Sequence, residues 1–323
     1  MKILIVGAGV IGSIFGWAAA SNRSNEVIHL LRPGRSARFS NGLSMDIYDR
    51  RRGHPRRVIE NYPIRVTEQV DAADHFDLVI IPTKHYTLEQ TLQQVTPALK
   101  GADYLLLTQN WQGTDLIEQY IAPDHYIFGD ARAGGGFCED RLVCTIASVD
   151  IGPVKGHPEG CVQKSLALFE SADIPAHVQA EMLHYLWIQY AINAGAWPAL
   201  VRAGSFKKLF SDAKNIKPTI TAVNECLQVV KGRGVDLAHF PAAQTYMGQS
   251  WLKMQLSGIA MGLMFKYSEY QKRCSLHALA DPQEVRTFYF DLLHTGQSLG
   301  VPMPAMEDYQ ADMLNFTQPG SAW

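Results

Sequence analysis

The first thirty-two residues constrain the fold more than any other stretch: MKILIVGAGVIGSIFGWAAASNRSNEVIHLLR reads as strand, glycine loop, helix and strand, then arginine. Met1 to Val6 is a short, mostly apolar run of the kind buried on both faces of a parallel sheet. Gly7, Gly9 and Gly12 complete G-x-G-x-x-G and open an apolar helix that runs to about Ala20. The first glycine allows a tight turn and the second lets backbone approach a pyrophosphate. The third lets helix and strand pack closely, with phosphates held at the helix N-terminus. A ligand-free turn would also use glycines, but the strand–turn–helix setting favours the phosphate reading.

Glu26 to Leu31 reads as the second strand. An NAD site usually ends this strand with an acid that accepts from the ribose 2′-hydroxyl, about 20 residues past the glycines. Here Arg32 stands in that place, followed by Pro33, Gly34 and Arg35. The sequence shows no carboxylate close by to repel a 2′-phosphate, and a guanidinium binds one bidentately. A solvated loop arginine is the other reading; the phosphate reading makes NADPH the expected cofactor.

With 323 residues, 47% of them hydrophobic, the chain has material for two cores. A formal net charge of −2 gives no global field favouring nucleic acid or an anionic membrane. The basic cluster Arg50, Arg51, Arg52, Arg56 and Arg57 surrounds Gly53, His54 and Pro55, and reads as a solvated hairpin tip. Cys138, Cys144, Cys161, Cys226 and Cys274 show neither C-x-x-C nor zinc-ligand spacing, as expected of reduced core thiols in the cytoplasm. No apolar run reaches the roughly 18 residues of a membrane span, and the N-terminal run lacks the flanks of a signal peptide.

Further strands are expected at Leu43–Tyr48, Pro63–Val66, Phe76–Pro82, Tyr104–Thr108 and His125–Asp130, with helices near Thr87–Val95 and Thr114–Tyr120. That alternation predicts an α/β, doubly wound parallel sheet. Leu142–Ser148 and the stretch up to Gly160 predict antiparallel strands closing the sheet's edge. From Gln179 onward strand signals vanish, and helical periodicity marks 179–201, 215–233, 241–268 and 282–299. The expected organisation is a nucleotide domain over 1–178 and an all-helical C-terminal domain over 179–323, with chemistry in the cleft between them.

Four segments together resemble the ketopantoate reductase (2-dehydropantoate 2-reductase) family: the glycine loop at 7–12, FDLVIIPTK at 76–84, TQNWQG at 108–113 and LWIQYAIN at 186–193. The tail LGVPMP at 299–304 adds to them, and all five stand in the family's order. The resemblance implies a Rossmann domain, a helical domain and NADPH-dependent reduction of a small 2-keto acid. It places Lys84 in the cofactor–substrate crevice, where a cation attracts a carboxylate or phosphate. It puts Asn110 near the nicotinamide, although a turn residue leading to Gly113 is an equal reading. Glu284, sixteen residues before Gly300, matches the family's substrate-side glutamate; Asp281-Pro282-Gln283-Glu284 also reads as a helix cap.

The departure falls in the helix after residue 179. The family pattern there is lysine, asparagine, asparagine at i, i+4 and i+8, on one helical stripe. This chain reads Gln189, Asn193, Trp197. Asn193 matches. Gln189 stands for the lysine that serves the family as general acid, and glutamine cannot deliver a proton at neutral pH. His184, about 500° further round an ideal helix, lies off the stripe and reads as a flanking histidine. Tyr190 reads as core. Lys84, or a water held by Gln189 and Asn193, is then the candidate proton donor.

The expectation is an NADPH-dependent oxidoreductase reducing a small 2-keto acid or related carbonyl compound, an unidentified relative of ketopantoate being favoured over ketopantoate itself, with a homodimer left open. Gly7, Gly9, Gly12, Arg32, Lys84 and Asn110 would bind cofactor; Lys84, Asn110, Gln189, Asn193 and Glu284 would serve catalysis. No metal is expected. A non-catalytic NADPH-binding sensor on the same fold is the alternative.

Overall fold

Strand β1 (Lys2–Val6) has Ile3, Leu4 and Ile5 fully buried, as the opening apolar run requires. Helix α1 (Val10–Ala20) follows directly, and β2 (Glu26–Leu30) returns beside β1 in parallel register, Lys2 opposite Glu26 and Val6 opposite Leu30. The computed structural model describes residues 1–211, 213–248 and 251–320, and the chain divides into two units, Met1–Leu183 and His184–Trp323.

In the first unit the chain continues through β3 (Leu43–Asp49), β4 (Arg56–Tyr62), β5 (Val66–Thr67), β6 (Leu78–Ile81), α2 (Leu88–Val95), β7 (Tyr104–Leu106), α3 (Asp115–Glu118), β8 (Tyr126–Cys138), β9 (Arg141–Gly152), α4 (Glu159–Ser171) and β10 (Ala176–Val178). The strands form one sheet in the order β4-β3-β9-β8-β7-β6-β1-β2-β5, with β10 beside β9. From β5 to β8 every pairing is parallel. The doubly wound α/β reading therefore holds. Central strand β6 is Leu-Val-Ile-Ile, buried at every position, which is what coverage on both faces demands.

Three expectations need correction. The strand expected at Pro63–Val66 is instead the long β4, ending at Tyr62, plus two-residue β5. Pro63 lacks the N–H that would continue the ladder, and Ile64 turns back to donate to the Tyr62 carbonyl at 2.8 Å. The antiparallel pair β8–β9 does not close the sheet: β9 pairs with β3 through its first half and β10 through its second, leaving β4 at the edge. The basic cluster is not simply a solvated tip. Arg51 is 6% exposed, grips Asp49, donates to the Ala172 carbonyl at 2.6 Å and stacks over Trp17 at 4.6 Å. Arg52, Arg56 and Arg57 pair with Asp173, Asp49 and Asp46. A buried guanidinium is tolerated only with such partners.

Eight consecutive residues of α1, Gly12 to Ala19, are buried, so the helix is covered on all sides. Its neighbours in the core include Ile3 and Ile5 of β1, Met45 and Ile47 of β3, and Leu142 and Ile146 of β9. Burial all round explains why α1 lacks the amphipathic spacing of a surface helix.

The second unit is helical: α5 (Met182–Ala203, its first two residues in the first unit), α6 (Phe206–Ser211), α7 (Ala213–Gly232), α8 (Pro241–Gln244), α9 (Trp251–Tyr267), α10 (Glu269–Cys274), α11 (Pro282–Ser298), α12 (Pro304–Asp308) and α13 (Gln310–Asn315). The helix expected over 241–268 is two helices, because a turn over 245–248 follows α8; residues 249–250 lie outside the described residues. Helices α5 and α7 meet at Gly195, where an added Cβ would lie 2.5 Å from the Val223 Cα and 2.6 Å from its N. Backbone cannot yield as a side chain does. Gly195→Ala is expected to cost about 3 kcal/mol, the upper range of overpacking, as measured by denaturant unfolding.

Candidate functional site

The parallel register sets where chemistry can sit. Ile5 lies opposite Ile80, Ile80 opposite Leu105, and Leu105 opposite Ile127, so β1, β6, β7 and β8 run level with one another. Just beyond that level stand Gly7–Gly9, Pro82–Lys84, Gln109–Asn110 and Asp130. This carboxyl edge is where open α/β sheets bind ligands.

Gly7 adopts φ +99°, a conformation that only glycine takes without strain, and its N–H donates to the Leu30 carbonyl at 2.8 Å. An added Cβ at Gly7 or Gly9 would meet nothing within 4 Å: the backbone faces open space there. At Gly12 a Cβ would meet the Gly7 carbonyl at 2.9 Å and Ile5 and Pro82 at 3.2 Å. The third glycine thus brings α1 against β1 and the end of β6. The first helical bond, Ser13 N–H to the Gly9 carbonyl, leaves earlier N–H groups aimed past the helix end, and no acid occupies the first turn. These features fit a dinucleotide pyrophosphate.

Two buried oxygens on the same edge strengthen that fit. Among the described residues, neither Thr83 Oγ1 nor Gln109 Oε1 has a hydrogen-bond partner. A buried acceptor without a donor costs free energy, so such atoms call for a ligand or water. The Gln109 Nε2 group donates to Asp130 at 3.2 Å. Neither Thr83 nor Gln109 was a candidate from sequence; no spacing rule marks them, and only the strand register does.

Under the glycine loop sits His29 of β2, which is fully buried. Its Nδ1 lies 2.9 Å from the Gly7 carbonyl and its Nε2 3.3 Å from the Tyr62 hydroxyl. A carbonyl only accepts, so Nδ1 carries the proton and Nε2 accepts from Tyr62. Burial pushes the imidazole down to about 4, against the Gly7 hydrogen bond. Gly16 leaves room for the ring: a Cβ there would lie 2.3 Å from Nε2.

The folded state keeps His29 neutral while the unfolded chain protonates near pH 6.5, so stability is full above pH 6.5 and lost as pH falls towards 4. The expected loss is about 3 kcal/mol, and His29→Gln should flatten it in denaturation curves taken across that range. An equal pH dependence in both proteins would sink the assignment.

Arg32 and Arg35 are exposed in the turn after β2. The absence of a nearby carboxylate, expected from sequence, is overturned. Glu68, next after β5, accepts from the N–H groups of Gly34 at 2.8 Å and Ser36 at 2.7 Å. Those bonds, the Gly34 one foremost, hold its carboxyl down at about 2. The two segments are 34 residues apart in sequence, and only the β2–β5 pairing brings them together.

Lys84 is half-buried and extended, at φ −67° and ψ 142°, where β6 gives way to a short turn. Its carbonyl accepts from the Thr87 N–H and hydroxyl, both at 2.9 Å. Asn110, 6% exposed, closes the loop after β7: its amide donates to the Gly113 carbonyl and accepts from the Gly113 N–H, each at 2.7 Å. Its side chain thus performs the turn role, with one N–H hydrogen left over.

In the second unit Gln189, Asn193 and Trp197 follow one another along α5, each partly exposed. Among the described residues the Gln189 and Asn193 amides have no side-chain hydrogen bond. Trp197 packs edge-on against Phe288 of α11 at 5.1 Å and lies 6.3 Å from His277. Tyr190 is core, its hydroxyl donating to Asp291 of α11 at 2.6 Å. Glu284, half-buried near the start of α11, gives its N–H to the capping Asp281 carboxylate at 3.2 Å, and its charge is felt at Tyr190. The helix-cap reading of Glu284 is therefore realised. His184 lies 5.7 Å from Trp187, over which Arg233 stacks at 3.5 Å. No group of His, Cys, Asp and Glu suited to a metal occurs among the described residues, and no helix among them is long and apolar enough to cross a membrane.

Residues 3–137 match the family model described as ketopantoate reductase PanE/ApbA. A curated 2-dehydropantoate 2-reductase of Pyrococcus abyssi is 28% identical over 203 residues, 61% of this chain and 63% of the relative's length. The chain thus spans less than two thirds of that relative. A D-mandelate dehydrogenase structure, with NADH and anilino(oxo)acetate, superposes with a TM-score of 0.72 at 20% identity, covering 98% of this chain and 100% of that one. The structure of a 2-dehydropantoate 2-reductase from Geobacter metallireducens reaches 0.72 at 17% identity, with the same coverage. At these identities the superpositions speak for the fold alone.

Proposed function

With a ketopantoate reductase PanE/ApbA family domain over residues 3–137 as the premise, we propose that the chain is a nicotinamide-dependent oxidoreductase of a small 2-keto acid or related carbonyl compound, with NADPH as its cofactor. The observation that carries the reading is the carboxyl edge of the sheet. Open backbone at Gly7 and Gly9 lies on the same edge as two buried, unmatched oxygens on Thr83 and Gln109. The bound cofactor supplies a hydride.

The chain's own residues do the rest. Gly7, Gly9 and the first turn of α1 bind the pyrophosphate, and Gly12 keeps that turn close to β1. Thr83 and Gln109 accept hydrogen bonds from the nicotinamide end. Lys84 brings a positive charge to the substrate carboxylate and delivers the proton to the developing alkoxide. Asn110 holds the loop that shapes this edge and offers its remaining N–H. In the second unit, the Gln189 and Asn193 amides of α5, which have no side-chain hydrogen bond among the described residues, and the Glu284 carboxylate of α11 are the groups assigned to the substrate. D-mandelate dehydrogenase binds NADH on this fold, so both reduced nucleotides belong in the test.

The test is oxidation of NADPH and NADH against a panel of aliphatic and aryl 2-keto acids, followed by nucleotide titrations. Turnover with at least one acid supports the reading, and failure to bind either nucleotide overturns it. NADPH should bind about tenfold tighter than NADH, and Arg32→Ala should remove most of that difference. Equal dissociation constants in the unmutated protein would refute the NADPH assignment.

A further inference from the structure

The turn after β2 already holds an anion, and it belongs to the chain. The Glu68 carboxylate spans it, one oxygen taking the Gly34 N–H and the other the Ser36 N–H. Gly34 adopts φ +77°, a conformation that favours glycine. The two arginines that would hold a ribose 2′-phosphate, Arg32 and Arg35, belong to the same turn and are exposed. A phosphate arriving there meets donors already engaged and a negative charge already present.

We propose that Glu68 determines cofactor selectivity, acting as a resident anion against which the 2′-phosphate of NADPH competes. This deepens the cofactor reading above and rests on it. An acid usually ends β2 in an NAD site and excludes the 2′-phosphate by its charge. Here Arg32 stands in the turn just past β2, and Glu68, next after the neighbouring strand β5, brings the acid to the same turn. Arg32 and Glu68 therefore pull in opposite directions. The arginine raises affinity for the phosphorylated ribose, while the carboxylate lowers it and offers the unphosphorylated ribose an acceptor for its hydroxyl. A preference for NADPH set by this balance is smaller than Arg32 alone would give.

Substitution by glutamine separates charge from shape. Glu68→Gln keeps an oxygen for one backbone N–H and removes the charge. Two charges about 5 Å apart in a water-like medium interact by enough to change affinity several-fold, and a phosphate carries close to two. The ratio of NADH to NADPH dissociation constants should therefore rise about tenfold in Glu68→Gln at low salt. The rise should shrink at high salt, because Glu68 is partly exposed.

The experiment titrates both nucleotides into the full-length wild type, Glu68→Gln, Arg32→Ala and the double variant, following nucleotide fluorescence at two ionic strengths. The expected result is a higher ratio in Glu68→Gln through tighter NADPH binding, with NADH unchanged or weaker. An unchanged ratio, or NADPH binding weakened by Glu68→Gln, overturns the proposal; the second outcome makes Glu68 a clamp that positions Arg32. Failure of the wild type to bind either nucleotide would refute the cofactor reading itself, so the two failures are distinguishable. Thermal unfolding of Glu68→Gln within a degree or two of wild type excludes a general loss of structure.

Discussion

Replacing Lys84 by alanine is expected to lower turnover on the true substrate by about 10²-fold or more, the size of losing a general acid or an electrostatic clamp. The residue's backbone is fixed where β6 ends, with its carbonyl tied twice to Thr87. The side chain is half-buried, on the sheet edge that carries the glycine loop. NADPH affinity should change far less, because the pyrophosphate rests on Gly7, Gly9 and the start of α1. Lys231, exposed on α7, is the control and should be dispensable. Steady-state kinetics with a parallel nucleotide titration separates the two effects. If Lys84→Ala turns over normally while Gln189→Ala or His184→Ala is inactive, the proton comes from α5 instead.

What could be read from the sequence follows from how local each signal is. The β1–α1–β2 unit announces itself within thirty-two residues because glycine spacing, apolar runs and turn chemistry all act over short range. The succession of strands and helices along the first unit, β5 apart, was legible for the same reason. Long-range pairing was not. Nothing in the sequence says that β9 is shared by β8, β3 and β10, because a strand buried on both sides looks the same whichever neighbours it has.

The site divides along the same line. Gly7, Gly9, Gly12, Arg32 and Lys84 carry a motif or end a strand. Thr83, Gln109 and His29 matter only through the register that sets them beside the loop. Glu68 is the sharpest case: reading outward from Arg32 finds no acid, yet one bonds to the same turn from 34 residues away. Arg51 misled for the opposite reason, since a run of arginines looks solvated until Asp49 and Trp17 are seen to enclose one of them.

Ketopantoate itself should be reduced slowly, below about 0.1 s⁻¹, which is roughly 10²-fold under an ordinary enzyme turnover. Resemblance to the reductase family leads to a lysine at position 189, and glutamine stands there. The Gln189 and Asn193 amides have no side-chain partners among the described residues, so they can hold a substrate oxygen or a water. Neither group donates a proton at neutral pH. Further along the stripe, the Trp197 indole is held edge-on against Phe288, where the family pattern has a small amide. Gln189→Lys should therefore raise ketopantoate turnover about tenfold or more by restoring an acid, but should stop short of a normal rate because an indole still stands where the family pattern has an amide donor. Stopped-flow or steady-state reduction of ketopantoate by both proteins decides it. Turnover near 10 s⁻¹ in the wild type would mean that the proton donor proposed at Lys84 serves ketopantoate fully and that the loss of the lysine at 189 costs nothing. A normal rate in Gln189→Lys alone would mean that the indole at 197 does not matter to ketopantoate reduction.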